Sequence, residues 1–448
     1  MLSARPGKNS VDNDLKQLLN LDLENKTDTE LDLSLDLEVK QDQTSPGVPN
    51  PRNSPVKPSV PSSSVVTAQP EHSLDPVHSL KKSFPQLTSL PQGKEGLRQI
   101  EASPTVKHLD KKLELPLQDQ PQGPAYRTQR QQISAQDRTP DYKQSVEHRY
   151  VTTLSEIEAL FRRICSGEKL SNSLITDIVQ YFMTLYIKDE SIILNATHIG
   201  GDEEEYLYSH SLRVCLHSLC IASAAGFSKE QVIQVGEAGL LADIGMLWIP
   251  AEIRNKGTEY TGDDVYEIQK HPMMGLFMIE RIIGIPDTVA YVAYQHHERN
   301  NGSGYPKNKR QHIIHSFSKI VAIADTYQTL LRKKAGIKNL HPYEAMVRVL
   351  SLTKEGLLDD VYVRAFLSCT SLFPVGSLIC LSNKAVARVI QAHPTEFARP
   401  IVSVLIDTGN KILEEDRIYQ VNLSENPDLK IAGLINENHY AFSIMHGF

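Results

Sequence analysis

The sequence predicts a mainly α-helical bundle with a small C-terminal antiparallel β appendage and a long disordered N-terminal tail. Sixteen of the 25 prolines but only four of the 29 aromatic residues fall within the first 150 positions, so this part has little material for a core. Apolar residues then recur at helical spacing until about residue 350. After about residue 370, short β-rich runs replace them. We therefore divide the chain into segments 1–147, 148–370 and 371–448.

The overall composition excludes several classes of protein. The chain is 40% hydrophobic and 23% charged, as soluble globular proteins are. It lacks a long apolar run for a transmembrane helix and an N-terminal apolar segment for a secretory signal peptide. Five cysteines without a CxxC pair favour a reducing compartment. A net charge of -7 gives no reason to expect binding to a nucleic acid polymer. We therefore predict a cytoplasmic protein that makes no membrane contact.

The predicted tail is Pro- and Ser-rich around residues 44–64 and acidic before that. Within its acidic part, LDLSLDLE at 31–38 alternates leucine with mostly acidic residues. One interpretation is a solvated tether. The other is a short motif that adds a strand to the sheet edge of a partner.

Amphipathic segments separated by short loops predict the helical bundle. We expect the first helix to begin at Thr153 as its N-cap and to stop at Gly167. The predicted helical segments are 153–167, 171–189, 208–226, 229–245, 266–282, 288–298, 318–334 and 341–352. The β-rich runs 375–382, 385–392 and 399–407 predict a small antiparallel sheet or barrel-like appendage.

Histidines and aspartates recur inside the apolar helical segments, where an isolated imidazole or carboxylate is costly to bury. Each of them taken alone is more simply a surface residue, a cap or a satisfied core residue. Bundles, however, form metal sites from helices that each deliver one such group, and this donor set suits iron, manganese or zinc. Neighbours on a helix point about 100° apart, so we expect His296 and His297 to serve different ions. The candidates are His210, Asp243, His271, His296, His297 and Asp325.

Five segments of the helical part together form a recognisable pattern. They are EYLYSHSLRV (205–214), LLADIGMLWIP (240–250), IQKHPMMG (268–275), HHERNNGSGYP (296–306) and KIVAIADTYQTL (319–330). On these segments, residues 148–370 resemble the HD-GYP family of HD-superfamily metal-dependent phosphohydrolases, which is associated with hydrolysis of cyclic di-GMP. The most specific segment is HHERNNGSGYP, close to the family pattern HHE…DGSGYP. The C-terminal strands are similar to an extension often seen after this domain.

The resemblance implies a role for each matched residue. His210, His271, His296, His297 and Asp325 stand at metal-ligand positions, and Asp243 stands at the position of the bridging ligand and catalytic centre. Iron or manganese is the implied divalent ion. The loop residues implied to face substrate, or partner proteins such as those with GGDEF domains, are Arg299, Gly302, Gly304, Tyr305 and Pro306.

The sequence also departs from the family pattern. Ala242 replaces the histidine of the HD doublet, Met246 replaces the lysine that follows it, and residues 334–337 lack the family's phosphate-binding arginines. These changes imply a metal position that is weakened or empty and a weaker grip on phosphate. Two nearby residues, Glu237 and His217, are candidates to replace the histidine ligand that is missing at Ala242.

Two hypotheses follow for this chain. In the first, it is a regulatory or interaction module of bacterial cyclic di-GMP signalling in which hydrolysis is impaired or lost. In the second, it is an active cyclic di-GMP phosphodiesterase with a dinuclear metal centre. The matching ligand positions favour the second hypothesis, and the losses at Ala242, Met246 and 334–337 favour the first.

Overall fold

A computed structural model describes residues 140–189, 206–256, 260–332, 340–414 and 417–435, together with isolated positions at 94, 95, 98, 99, 102 and 194. Most of the predicted tail, including the 31–38 segment, lies outside the described residues. The described part is mainly α-helical and ends in a small sheet, as the sequence predicts. None of its helices combines the length and apolar character needed to cross a membrane.

The helices follow one another in chain order through the described residues. They are α1 (Pro140–Cys165), α2 (Ser173–Lys188), α3 (Tyr206–Ala225), α4 (Lys229–Leu241), the single turn α5 (Ala251–Arg254), α6 (Gly262–Ile268), α7 (His271–Ile279), α8 (Asp287–Gln295), α9 (Ser316–Leu330), α10 (Pro342–Lys354) and α11 (Asp360–Thr370). A short 3-10 turn, Ile244–Trp248, lies between α4 and α5. Helix α3 packs against α4, α9 and α11 and so lies at the centre of the bundle.

Helix α1 begins at Pro140, inside the segment that the sequence analysis placed in the tail. Val146 and Tyr150 are buried in the apolar core, and this burial offsets the entropy lost when the segment becomes ordered. The expected N-cap at Thr153 is therefore wrong. Thr153 lies in the middle of α1, where its hydroxyl donates to the Arg149 carbonyl oxygen at 2.8 Å.

Substitution of Val146 by alanine tests whether this first part of α1 belongs to the folded unit. We expect Val146→Ala to lower the free energy of unfolding by about 2 kcal/mol, because it removes buried methyl groups and leaves a cavity. Urea unfolding followed by circular dichroism measures the change. Glu147→Ala, at the exposed neighbouring position, is the matched control and should change stability by less than about 0.5 kcal/mol. Equal effects of the two substitutions would contradict the packing of this segment.

Other helix boundaries also differ from those predicted by the spacing of apolar residues. The predicted helix 266–282 is divided into α6 and α7, and the break near Gln269 lets His271 start a new helix. Helix α11 has no counterpart among the predicted segments. It begins after Asp359, whose carboxylate accepts from the Val361 N–H at 3.1 Å as an N-cap.

The C-terminal sheet is antiparallel, in the order β4-β3-β2-β1-β5. Its strands are β1 (Leu378–Leu381), β2 (Val386–Gln391), β3 (Ile401–Ile406), β4 (Tyr419–Asn422) and β5 (Ile431–Leu434). The first three coincide with the predicted β-rich runs, whereas β4 and β5 were not predicted. Buried residues of the sheet, such as Ile379, Val389 and Val402, belong to the same apolar cluster as the helical core.

Candidate metal centre

The structure brings all six predicted metal-ligating residues together in the helical domain. His210 lies near the start of α3, Asp243 directly precedes the 3-10 turn, and His271 is the first residue of α7. His296 and His297 follow the end of α8, and Asp325 lies in α9. Five of these side chains are buried and His297 is half-buried.

The donors divide into two sets that share one residue. One set has four members, Asp243, His271, His296 and His297. The other has three, His210, Asp243 and Asp325. Within each set, one ligand atom per residue lies within 4.8 Å of the corresponding atom of every other member. Carboxylate oxygens and imidazole nitrogens are donors that suit divalent iron, manganese or zinc.

Asp243 faces the two sets with different oxygens. Its Oδ2 lies 3.0 Å from His210 Nε2, while its Oδ1 lies 3.3 Å from His271 Nε2 and 3.6 Å from His296 Nε2. His210 Nε2 also lies 2.9 Å from Asp325 Oδ1. This arrangement allows the Asp243 carboxylate to bridge two cations, one in each set.

The hydrogen bonds behind two histidines fix which ring nitrogen can bind a cation. The Nδ1 atoms of His271 and His296 lie 2.7 Å from the carbonyl oxygens of Ile268 and Ala293, respectively. A carbonyl oxygen can only accept, so each Nδ1 carries the proton and each neutral ring has a lone pair on Nε2. Metal-binding histidines in proteins show this same outer hydrogen bond.

Three imidazole nitrogens of the four-donor set lie so close together that a positive charge is needed between them. His271 Nε2 lies 3.4 Å from His296 Nε2 and 3.1 Å from His297 Nε2. Lone pairs that meet at such distances repel one another unless a cation or a proton lies between them. The residues present therefore fit a bound divalent ion.

Protonated histidine can balance the charge of the two buried carboxylates, Asp243 and Asp325. Burial would raise the pKa of Asp243, but hydrogen bonds from His210, His271 and His296 hold it well below its usual range. Burial would likewise lower the pKa of His210, but its bonds to Asp243 and Asp325 raise that pKa to about 9. Both aspartates therefore stay ionised, and a bound metal ion must displace protons from the cluster.

The expectation that His296 and His297 serve different ions stays a prediction. Helix α8 ends at Gln295, and His297 lies in the following turn. Both residues offer an atom to the four-donor set, and His297 Nδ1 also lies 3.9 Å from Asp325 Oδ2 of the other set. Their ring centroids are 4.0 Å apart.

Close backbone packing holds Asp243 and His271 beside each other. Gly245 lies in the 3-10 turn after Asp243, and a Cβ atom there would meet the His271 carbonyl oxygen at 2.0 Å and the Gly275 nitrogen at 2.5 Å. Only glycine permits this approach between the turn and α7. The DIG segment therefore has a packing role in addition to the donor at Asp243.

The loop after His297 is folded against the metal centre. The Tyr305 ring stacks on His297 with centroids 4.6 Å apart, and the Tyr305 N–H donates to the His297 carbonyl oxygen at 3.1 Å. A Cβ atom on Gly304 would lie 2.3 Å from that same carbonyl oxygen. The Tyr305–Pro306 peptide bond is cis, and Gly302 has a φ of +84° that favours glycine.

Two buried charged residues anchor this loop from within. The Glu298 carboxylate accepts from the Lys307 and Lys309 backbone N–H groups, both at 2.7 Å. Burial raises the pKa of Glu298 to about 7, although these two hydrogen bonds oppose the rise. Arg299 donates from Nη1 to the His296 and Glu298 carbonyl oxygens at 3.0 and 3.1 Å. Sequence reasoning did not single out Glu298, although the HHE segment contained it.

The loop residues predicted to face substrate or partner are unequal in exposure. Arg299, Gly304, Tyr305 and Pro306 are buried, and Gly302 is half-buried. The exposed positions of the loop are Asn301, Ser303 and Asn308, followed by 310–313. A partner protein would therefore meet these exposed positions first.

Among the residues that the structure describes, the three-donor set has no member besides His210, Asp243 and Asp325. Ala242 is buried beside Asp243 and offers no donor, and Met246 is half-buried in the 3-10 turn. Neither Glu237 nor His217 belongs to a donor set. The Glu237 carboxylate accepts from Thr176 Oγ1 at 2.6 Å, and His217 Nδ1 lies 3.0 Å from the Arg213 carbonyl oxygen. Both side chains therefore serve other contacts.

Tyr206 is a further residue that sequence reasoning missed. Its hydroxyl oxygen lies 2.9 Å from His210 Nδ1, so it holds the ring of this donor from the side opposite the carboxylates. The spacing of four residues on one helix was visible in YLYSH, and such pairs face each other in an α-helix.

Two parts of the chain match known domain families. Residues 198–359 match the HD domain family, and residues 378–443 match the family described as the KOW domain associated with HD domain. The cyclic di-GMP phosphodiesterase PA4108 of Pseudomonas aeruginosa is 26% identical over 256 residues, which are 57% of this chain and 61% of the relative. The 3'3'-cGAMP-specific phosphodiesterase 1 of Vibrio cholerae is 29% identical over 178 residues, 39% of this chain and 41% of that protein.

The chain spans less than two thirds of the length of these curated relatives. Among solved structures, Bd1817, an HDG"Y"P protein from Bdellovibrio bacteriovorus, aligns with a TM-score of 0.41 and 18% identity over 48% of this chain and 68% of that chain.

Proposed function

The chain carries an HD domain of the HD-GYP type, and from this premise we propose that it is a metal-binding component of cyclic di-GMP signalling whose hydrolytic activity is impaired. The observation that carries the proposal is the inequality of the two donor sets. One set offers four protein donors, whereas the set that includes His210 offers three and lies beside Ala242. Fewer donors bind a divalent ion more weakly.

The ions, the donor residues and the two substituted positions would each have a separate role in the centre. Two bound ions would supply an activated water and neutralise charge on a phosphate. Asp243 would hold the ions at a common carboxylate, with His271, His296 and His297 on one side and His210 and Asp325 on the other. Ala242 removes a donor, and Met246 puts a thioether where a lysine would attract phosphate. Both losses reduce the stabilisation of an anionic transition state.

The substrate class that we propose is a cyclic dinucleotide, with cyclic di-GMP first and 3'3'-cGAMP second. Support comes from the names of the relatives, which are phosphodiesterases for these molecules. Iron or manganese is the proposed ion, because the donors are mixed imidazoles and carboxylates. For the regulatory role, we propose that a signalling protein such as one with a GGDEF domain contacts the exposed loop positions 310–313.

A second candidate, an active phosphodiesterase with a dinuclear centre, has one specific observation in its favour. Asp243 directs one oxygen to each donor set, which is the geometry that a bridging ligand needs. Activity would then depend on whether three protein donors hold the second ion under assay conditions.

Metal analysis combined with a hydrolysis assay tests the proposal. We expect wild-type protein loaded with manganese or ferrous iron to hold fewer than two ions per chain and to release little linear product from cyclic di-GMP. Ala242→His together with Met246→Lys should raise both the metal content and the rate. Removal of metal with a chelator should abolish any residual rate.

The control is the single variant Met246→Lys, which restores the cation but not the missing donor and should leave metal content unchanged. Two ions per wild-type chain with rapid turnover, abolished by Asp243→Ala, would support the active phosphodiesterase and refute impairment. Circular dichroism verifies that each variant is folded, so that a lost rate is not mistaken for unfolding.

A further inference from the structure

The C-terminal sheet has an open edge at β4 (Tyr419–Asn422). This strand is the first in the sheet order and, within the described part of the chain, pairs only with β3. Residues 411–413 extend the same edge, because Ile412 forms an antiparallel β-bridge with Ile406 at the end of β3. We call residues 411–413 and 419–422 together the β4 edge. An edge of this kind presents backbone N–H and C=O groups with which a further strand can pair.

The β4 edge exposes apolar side chains and lacks the usual protection of an edge strand. Ile412 is 53% exposed and Tyr419 is 50% exposed, so they are two of the six large apolar side chains that are exposed among the described residues. The four residues of β4, YQVN, include no proline and no charged residue. Proteins use such residues to prevent an edge strand from pairing with another chain. Two large apolar side chains on an unprotected edge therefore indicate an interface with another strand.

The exposed charges around the β4 edge favour a second copy of this chain as the partner. They are of both signs: Lys411 and Arg417 are cations, and Glu414 and Glu425 are carboxylates. Antiparallel pairing of two copies places the start of each β4 beside the end of the other. Arg417, before the strand, would therefore approach Glu425 of the second copy, which follows the strand. The other strand-like candidate in this chain, segment 31–38, carries three carboxylates and no cation, so it lacks this complementarity.

We propose that two copies of this chain associate through antiparallel pairing of their β4 edges about a twofold axis. Each copy presents the same patch in such an interface, so the two C-terminal sheets join into one sheet that crosses the axis. The side chains of Ile412 and Tyr419 lose their exposure to water there, and this burial favours association. The interface uses no residue of the metal centre, so the inference does not depend on the proposed function.

Sedimentation equilibrium of the 448-residue chain at concentrations of about 1 to 100 µM tests the proposal. We expect the average mass to rise with concentration toward that of two chains. The dissociation constant should be micromolar, because a short edge buries less surface than the roughly 1,200 Å² of a stable interface. Tyr419→Lys should weaken association by about tenfold or more, since the change occurs twice in a symmetric interface and charges both edges. Tyr419→Phe keeps the ring and should associate as the wild type does.

Mixed variants test whether the partner is a second copy. Tyr419→Lys and Tyr419→Glu should each be largely monomeric, and an equimolar mixture should recover part of the association because opposite charges then meet across the interface. Ile283→Lys is the matched control, at an apolar position of the helical domain that is 61% exposed, and it should leave association unchanged. Circular dichroism and manganese binding should match the wild type in every variant. Amide hydrogen exchange in β4 should slow as the protein concentration rises.

Three results would overturn the inference. The first is a wild-type protein that stays monomeric over the whole concentration range, which is also the result expected if residues 31–38 of the same chain cover the β4 edge. The second is a dimer that Ile283→Lys weakens as much as Tyr419→Lys does, because the β4 edge would then not be the specific contact. The third is a mixture of Tyr419→Lys and Tyr419→Glu that recovers no association.

Discussion

Asp243→Ala is expected to remove metal from both donor sets, because this carboxylate directs one oxygen to each of them. Loss of an outer hydrogen-bond partner already weakens metal binding by about 10- to 100-fold, so loss of the shared donor should exceed about 100-fold. Metal analysis and calorimetric titration with manganese measure the effect. Any hydrolysis of cyclic di-GMP should fall below detection.

Matched substitutions show whether metal is lost from both donor sets because they share the Asp243 carboxylate. Asp325→Ala should weaken mainly the ion of the three-donor set, and His296→Ala mainly that of the four-donor set. Wild-type-like binding of one ion by Asp243→Ala would contradict the bridge. So would an equal loss of both ions in Asp325→Ala.

Gly245→Ala is expected to destabilise the helical domain by about 3 kcal/mol. The new Cβ would lie 2.0 Å from the His271 carbonyl oxygen, and this backbone atom cannot move without displacing α7. Urea unfolding of metal-free protein measures the change without a contribution from bound metal. Manganese affinity should fall as well, because His271 moves with α7.

Gly262→Ala is the matched control for that substitution. Gly262 is the first residue of α6, and a Cβ atom there meets nothing within 4 Å. Alanine also reduces the entropy of the unfolded chain, so we expect stability to be unchanged or to rise by about 0.5 kcal/mol. A comparable destabilisation by both substitutions would show that the Gly245 contact is not the cause.

Sequence periodicity predicts the helices that bury a broad apolar face. It places α2, α3, α4, α8, α9 and α10 correctly to within a few residues because their buried positions recur at helical spacing. It fails at ends that tertiary contacts determine. The first turns of α1 look polar from the sequence, and only the burial of Val146 and Tyr150 makes them part of the fold.

Strands β4 and β5 were missed for a different reason. Each has four residues, YQVN and IAGL, and most of these positions are only partly buried or exposed. Such short edge strands depend on pairing with β3 and β1, and pairing partners cannot be read from a local pattern.

The site residues were identified by type and by family pattern, and their spatial relationships came from the fold. Sequence reasoning could name Asp243 as a bridging residue but could not assign its two oxygens to different donor sets. It treated His296 and His297 as helical neighbours because the end of α8 at Gln295 had no clear stop signal.

The single carboxylate between two cation positions makes their affinities reciprocal. Whatever factor the first ion applies to the affinity of the second, the second must apply to the first, since both routes lead to the same doubly loaded state. In the proposed function, the absence of a donor at Ala242 would therefore also change the occupancy of the four-donor position, and the chain would respond to metal supply as one coupled unit.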